Sequence, residues 1–475
     1  MSRNLKFLTG RLSFLAAASL IAALISALGC GGGSSSPALN GTANSAVQVK
    51  IGDDPADRVV AFEITVDSIV LTDQKNVAVN VLSSPTTLEL THLADTNEPL
   101  SFLSVKQDTY TQAAITVSNP EIVYLNSLGQ AVEKQLNMTA TVNIAFNPSL
   151  VVGPGTSVVN LDLNLARSVT VDLTSGNVSV TPTFVITTSA VPPEGQEDQE
   201  NEDNGQLQGM WGIVNTVTAN SFTISVGMSA QPLTFNVDSN TVFENVGGIS
   251  QLTSGMLVRV DAVTEPGGAL LAKRVVEVEL DNASEADGLI TLVTRNPATQ
   301  FSLLDQDGVG LGMTARWLGG NINVNVTPTT VFSLPDDINL SNLPFTPVFD
   351  ATSVHAGQRI EVDTNAGVTP SLGSALATLN ASNVELRRQA VRGSVTNYNS
   401  SGSGQFTFTL NLSADSYLTL LSHGAITSIT VVQQPTTELR NLSTVSVGSN
   451  LRVRGVLFWT GSGFTMVASR ISAVQ

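Results

Sequence analysis

Short runs in which apolar and polar residues alternate recur along the whole chain. Phe62-Glu63-Ile64-Thr65-Val66-Asp67 is one, Met138-Thr139-Ala140-Thr141-Val142-Asn143-Ile144 a second and Leu161-Asp162-Leu163-Asn164-Leu165 a third. Phe222-Thr223-Ile224-Ser225-Val226, Ile322-Asn323-Val324-Asn325-Val326 and Phe406-Thr407-Phe408-Thr409-Leu410 continue the pattern. A two-residue period turns one side of a run into a core and the other toward water, so each run predicts a half-buried strand. No long stretch beyond the N-terminal apolar run carries helical periodicity. The pattern predicts an all-β protein.

Two breaks divide the pattern. The first is N-terminal. An apolar run from Leu12 to Leu28 follows Arg3, Lys6 and Arg11, and it ends at Ala27-Leu28-Gly29-Cys30, which holds the only cysteine of the chain. The run is shorter than the ~20 residues of a membrane span. Basic start, apolar stretch and small residues before one cysteine resemble a bacterial lipoprotein export signal, which implies a lipid attached at Cys30. Gly31-Gly32-Gly33-Ser34-Ser35-Ser36-Pro37 then reads as a flexible tether. The second break starts at Val191-Pro192-Pro193 and continues through residues 194–204, a run with no apolar side chain and many carboxylates. Like charges repel, so this is an extended linker.

Beyond that linker four landmarks recur three times in one order. Each unit opens on glycine and an apolar strand, at Gly212-Ile213-Val214, Gly288-Leu289-Ile290 and Gly393-Ser394-Val395. A strand then ends in a threonine turn, at Thr241-Val242-Phe243, Thr330-Val331-Phe332 and, more loosely, Thr437-Glu438-Leu439. A glycine next opens a strand, at Gly255, Gly357 and Gly448, and each unit closes on Ala272-Lys273-Arg274-Val275, Ala381-Ser382-Asn383-Val384 or Ala468-Ser469-Arg470-Ile471. This is a triplication, with units of a size that can close into a small barrel and remove free edges. The middle unit is longest. Its extra residues, Pro335 to Pro347 and Ala366 to Gly373, are expected to form surface loops. The resulting division is signal peptide 1–30, tether 31–45, sandwich 46–190, acidic linker 191–207 and barrels 208–282, 283–388 and 389–475.

On these residues the three units resemble an uncharacterised bacterial domain found in tandem in exported proteins. That resemblance implies a small OB-like β-barrel, and the first unit fits best. Asp53-Asp54-Pro55-Ala56-Asp57, Val66-Asp67-Ser68-Ile69-Val70-Leu71 and the run from Thr109 to Val117 resemble a second uncharacterised family of bacterial lipoproteins, which implies a β-sandwich. The expected fold is therefore all-β: an N-terminal β-sandwich followed by three small OB-like β-barrel repeats. Neither family brings an activity.

Composition narrows the chemistry. The 475 residues carry a net charge of -17 with only 13% charged residues. Phosphate binding draws on Lys and Arg, so this balance argues against a nucleic-acid partner. One cysteine leaves no intramolecular disulfide, and the exported domains must rest on core burial. Asp53, Asp54 and Asp57 are the densest carboxylates within a domain and the weak candidates for a Ca²⁺ site. Asp and Pro also start turns by capping backbone N–H groups, the reading favoured here. Asp305-Gln306-Asp307-Gly308 is read as a hairpin turn, since Asp-Gly suits a type I′ turn. His92, His355 and His423 are read as isolated surface or turn residues without the spacing zinc needs. Gly308-Val309-Gly310-Leu311-Gly312 is read as a loop, and Trp211, Trp317 and Trp459 as core residues rather than sugar-stacking platforms. The sequence holds no Gly-x-Ser-x-Gly elbow and no phosphate-cradling loop.

These observations lead to the expectation of a non-catalytic lipoprotein of the cell envelope, at the outer membrane or cell surface, acting as a binding or spacer module. Its partners would be the membrane, through the lipid, and an envelope protein or polysaccharide; no cofactor is expected. The alternative is a hydrolase of envelope polymers using carboxylates of the Asp53 region or Asp305 and Asp307.

Overall fold

The computed structural model describes residues 44–54, 57–82, 85–93, 97–153, 157–190, 206–226, 232–265, 269–278, 284–309, 321–335, 338–364, 377–400 and 405–474. The export signal with Cys30, the tether up to residue 43, the acidic run 194–204, residues 310–312, Trp317 and residues 366–373 lie outside them.

The N-terminal part is built from β1 (Asn44–Asp54), β2 (Val59–Asp73), β3 (Ala78–Asn80), β4 (Thr86–Glu89), β5 (Asn97–Lys106), β6 (Thr109–Leu125), β7 (Ala131–Gln135), β8 (Thr139–Val151) and β9 (Ser157–Asn164), followed by helix α1 (Leu165–Ser168), β10 (Val169–Asp172), β11 (Asn177–Val180) and β12 (Phe184–Ala190). One sheet has the order β12-β9-β1-β5; the other runs β3-β2-β6-β7, with β4 on β2 and β8 on β6. The two-residue period becomes register here. Phe62, Ile64, Val66, Ile69 and Leu71 of β2 turn inward with Ile115 and Val117 of β6, and meet Val47, Val49 and Ile51 of β1 and Leu161 and Leu163 of β9 in one core. This is a β-sandwich, its layers held by side chains from both inner faces. The third alternating run stops one residue early. Asn164 caps α1 by accepting a hydrogen bond from the Arg167 N–H at 2.9 Å, so Leu165 opens a helical turn instead of extending β9.

The first barrel comprises β13 (Gln206–Val217), β14 (Ser221–Val226), β15 (Pro232–Asn236), β16 (Val242–Glu244), β17 (Leu257–Thr264) and β18 (Leu270–Val278). β13 thus begins inside the segment read as linker. Its sheet runs β15-β14-β13-β17-β18, and β15 also pairs in parallel with β18, closing five strands on themselves while β16 sits beside β18. The second barrel comprises β19 (Ser284–Val293), β20 (Gln300–Val309), β21 (Asn321–Asn325), β22 (Val331–Ser333), β23 (Arg359–Thr364), β24 (Ala377–Asn380) and β25 (Asn383–Leu386). Its last strand is broken at Ala381 and Ser382: β24 pairs with β21 and β25 with β23, so the ring closes through the break. The third comprises β26 (Arg388–Ser400), β27 (Phe406–Leu412), helix α2 (Tyr417–Leu421), β28 (Ser428–Arg440), β29 (Asn450–Trp459) and β30 (Phe464–Ala473), closed in the order β26-β27-β28-β30-β29. All three share one ring order, first-second-third-fifth-fourth, with the third and fifth strands parallel. That is the OB-like arrangement, and it leaves the main sheet no free edge.

The repeated residues hold this ring together. Thr241, Thr330 and Thr437 each donate their hydroxyl to the carbonyl of the closing alanine, Ala272, Ala381 and Ala468, at 2.7, 2.8 and 2.7 Å. Each hydroxyl also accepts from the N–H three residues before it, at 3.0, 2.9 and 2.8 Å. The third copy, loosest in sequence, makes the same pair of bonds from a bulge within the continuous strand β28. The strand-opening glycines are equally alike. Gly255, Gly357 and Gly448 have φ of 93°, 96° and 88°, which favours glycine. Their N–H groups donate to Val214, Ile290 and Val395 of the first strand at 2.8, 2.7 and 2.9 Å.

The second and third barrels share a core. Val456, Phe458 and Val467 of the third pack with Ile290, Phe301 and Ile360 of the second, and Gln358, fully buried, donates to the Leu457 carbonyl at 3.0 Å. The segment from Pro335 to Pro347 departs from the expected surface loop. Ile338, Leu340, Leu343 and Phe345 pack on the shared core, and Phe345 meets Phe458 edge to face at 5.6 Å. The reason is apolar spacing within a Pro- and Asn-rich segment, which lets it cover a seam without forming a strand. The first barrel meets the second through charge: Arg259 faces Glu361 at 3.5 Å, and Glu361 also pairs with Arg387, which reaches Glu385 as well.

Candidate functional site

The candidate site lies where the sandwich meets the second and third barrels. Its construction starts at a bulge. Asp287 pairs with Asp307 and Gly288 with Asp305, so Gln306 is the extra residue in β20. A bulge re-aims a side chain out of the ladder. Gln306 crosses to the sandwich, donating through Nε2 to the Val60 carbonyl at 2.6 Å and to Thr91 Oγ1 at 3.2 Å. This overturns the hairpin turn expected for residues 305–308. They run within β20, because the paired β19 continues the ladder past them. Asp305 is buried there, and the side chain of Asp307 lies outside the described residues.

Opposite Gln306 stands Tyr417. Its hydroxyl accepts from Gln389 Nε2 at 2.6 Å, and burial pushes the phenol well above its ordinary pKa. Gln389 is itself pinned, donating to the Gly357 carbonyl at 2.8 Å and accepting from the Arg359 N–H at 2.7 Å. Arg359 Nε donates to Asp287 at 2.8 Å. Between these groups lies a cavity of about 60 Å³, bordered also by Asp57, Arg392 and Ser416. The Gln306 Oε1 is buried with no hydrogen-bond partner among the described residues, and so offers an acceptor toward that space. The volume suits a few small polar molecules such as ordered waters, each needing two to four partners. The walls are mixed: Val59, Val60, Leu289 and Val391 with hydroxyl, amide and guanidinium groups. The arrangement can hold a polar group of a few heavy atoms; among the described residues that border it, Asp57 is the carboxylate.

The sequence-derived candidates are placed as follows. Asp53 and Asp54 end β1 in register with Leu163 and Asn164, and their side chains lie outside the described residues. Asp57 is turned to the third barrel, where Ser413 Oγ donates to its carboxylate at 2.8 Å and the Tyr417 N–H to its carbonyl at 2.9 Å. Among the described residues no three His, Cys, Asp or Glu side chains are placed to hold a metal ion. The side chains of His92 and Trp211 lie outside the described residues, and His423 is exposed in a turn after α2. His355 opens the turn to Gln358, where it stacks on Trp459 at 3.9 Å and meets Phe464 edge-on, at the seam between the second and third barrels. Trp459 is accordingly half-buried in that seam. Gln306, Gln389 and Tyr417 were not singled out from the sequence. One signal was present: polar Gln358 stands where the first unit has Met256, which marks a buried polar contact at the second unit's border.

The fold and the site define an all-β protein of tandem closed barrels joined to a sandwich. The profile of a family described as a domain of unknown function, DUF5666, matches residues 212–276, which is the first barrel. No curated protein matches the chain. A solved structure, drosophila Unr CSD456, is similar at 10% identity over 56% of this chain and 97% of its own, with a TM-score of 0.12, a score at which the likeness carries no weight for function.

Proposed function

We propose that the chain is a non-catalytic lipoprotein of the cell envelope, moored by a lipid on Cys30, whose sandwich and barrels act as a binding or spacer body. The observation that supports this reading most is the combination of a lipoprotein-like N-terminus with three edge-closed barrels of one ring order. Closed barrels resist edge-to-edge pairing with neighbours, a property suited to a crowded surface. Outer-membrane or cell-surface placement, and a protein or polysaccharide partner in the envelope, belong to the same reading. Mass spectrometry of the native product tests the anchor: a mature N-terminus at Cys30 carrying acyl chains is expected, and an unmodified thiol behind an intact initiator methionine excludes it. A pull-down from envelope extract with residues 31–475 tests the partner. Enrichment of one protein or glycan supports binding, and no enrichment leaves spacing.

A further inference from the structure

The connection between the second and third strands of the third barrel carries α2, and this segment reaches the sandwich. Ser413 donates to Asp57, Asp415 pairs with Arg58, and the Tyr417 N–H donates to the Asp57 carbonyl. Tyr417, Leu420 and Leu421 pack on Val60, Ala61, Val123 and Leu125 of the sandwich. The turn between β6 and β7 comes so close that a Cβ on Gly129 would lie 2.7 Å from the Leu420 carbonyl oxygen. From the opposite side, Leu418 sits in the core of the third barrel and anchors the segment there. One short helix thus sets Leu418 in its own barrel, Tyr417 against both domains, and Leu420 and Leu421 on the other domain.

We infer that the segment Ser413–Leu421 is a latch that holds the tandem barrels against the sandwich, and that releasing it lets the second and third barrels, still joined by their shared core, move away from the sandwich together. The sandwich core and the third barrel's core are separate clusters, so undocking leaves each intact. The joint between them is a small apolar strip edged by polar bonds, and Asp415 at its rim is 59% exposed. Domain joints of that size and polarity permit relative motion. Leu289, Leu304 and Gln306 of the second barrel complete the joint beside Tyr417 and would be uncovered with it. The consequence is a change of reach. In the latched form the third barrel lies against the sandwich, and in the released form the joined second and third barrels stand away from it. The inference stands whether or not Cys30 carries a lipid.

The test is solution X-ray scattering with amide hydrogen exchange on residues 31–475. Leu421→Asp places a charge on the apolar strip; Leu421→Met is the control. The expected result for Leu421→Asp is a larger radius of gyration and exchange about tenfold faster at the Tyr417 amide, with β30 still protected. Asp415→Arg is expected to speed the same amide, and adding Arg58→Asp to slow it again. A wild-type scattering profile that is already extended overturns the latch, as does an unchanged radius and Tyr417 protection in Leu421→Asp. Loss of β30 protection along with Tyr417 also overturns it, because docking and folding would then be one event.

Discussion

A threonine and an alanine carbonyl decide the strand end in every barrel. The hydroxyl of Thr437 is buried and spans a local N–H and the Ala468 carbonyl. Replacing Thr437 with Val keeps the volume and strands both backbone groups. The expected cost is about 1–3 kcal/mol, the penalty of leaving a buried polar group unsatisfied, measured by urea unfolding. Thr241→Val and Thr330→Val should cost less, since water reaches their turns. Gly357 differs from its counterparts in a second way. A Cβ there would strike the Leu418 side chain, whereas Gly255 and Gly448 have open space. Gly357→Ala is therefore expected to lower the melting temperature more than Gly255→Ala or Gly448→Ala, which add only the strain of positive φ. These residue types were legible in the sequence as landmarks. Their bonding was not, because Thr330 and Ala381 are 51 positions apart and only barrel closure brings them together.

Strands in this chain do more than their alternation announces. β29 supplies Leu457 to its own barrel's core and Phe458 to the core shared with the second barrel, so adjacent residues serve two domains. Truncating Phe458 to Ala should cost about 3–5 kcal/mol, as for other buried aromatics. Calorimetry of that variant is expected to show the second and third barrels losing stability together. Two separated transitions, with the second barrel unaffected, would contradict the shared core. The ion pair beside the first barrel's closing strand shows how units diverge at one position. Arg274 grips Glu244 through two hydrogen bonds at 2.8 and 2.7 Å, and this holds the Glu244 carboxyl below its usual pKa. In the second barrel Ser333 and Asn383 replace that pair with a neutral bond at 3.0 Å. Neither β20 nor its bulge is legible in the periodicity: the Asp-Gly at its end suggests a turn, and the extra residue Gln306 leaves no mark in the pattern.

At the scale of the molecule, buried charge sets the joint between the first two barrels. Burial raises the Asp363 pKa, and neighbouring Glu361 adds to it, against a hydrogen bond from Asn383 and the charge of Arg259. The folded protein therefore holds that proton more tightly than the unfolded chain. Asp363 favours folding most below its ordinary value of 3.8, and that contribution is lost as pH rises through its raised folded value. Asp363→Asn is expected to raise the unfolding midpoint at pH 7 and to have little effect near pH 3. A lowered midpoint at pH 7 would mean that attraction to Arg259 outweighs burial. Glu244 carries the opposite sign: its contribution is present above the ordinary 4.5 and fades as pH falls.

The sequence by itself determined the all-β class, the triplication and the residue types at the strand ends, because a two-residue period and local turn residues act over a few positions. Tertiary structure alone decided that the barrels pack on one another and on the sandwich. It also decided that Asp57 faces Ser413, that Gln306 leaves its ladder, and that the segment after Pro335 covers a seam. Those outcomes depend on which surfaces meet after each domain has closed. Side chains hundreds of positions apart, such as Gln306 and Val60, leave no periodic trace of that meeting.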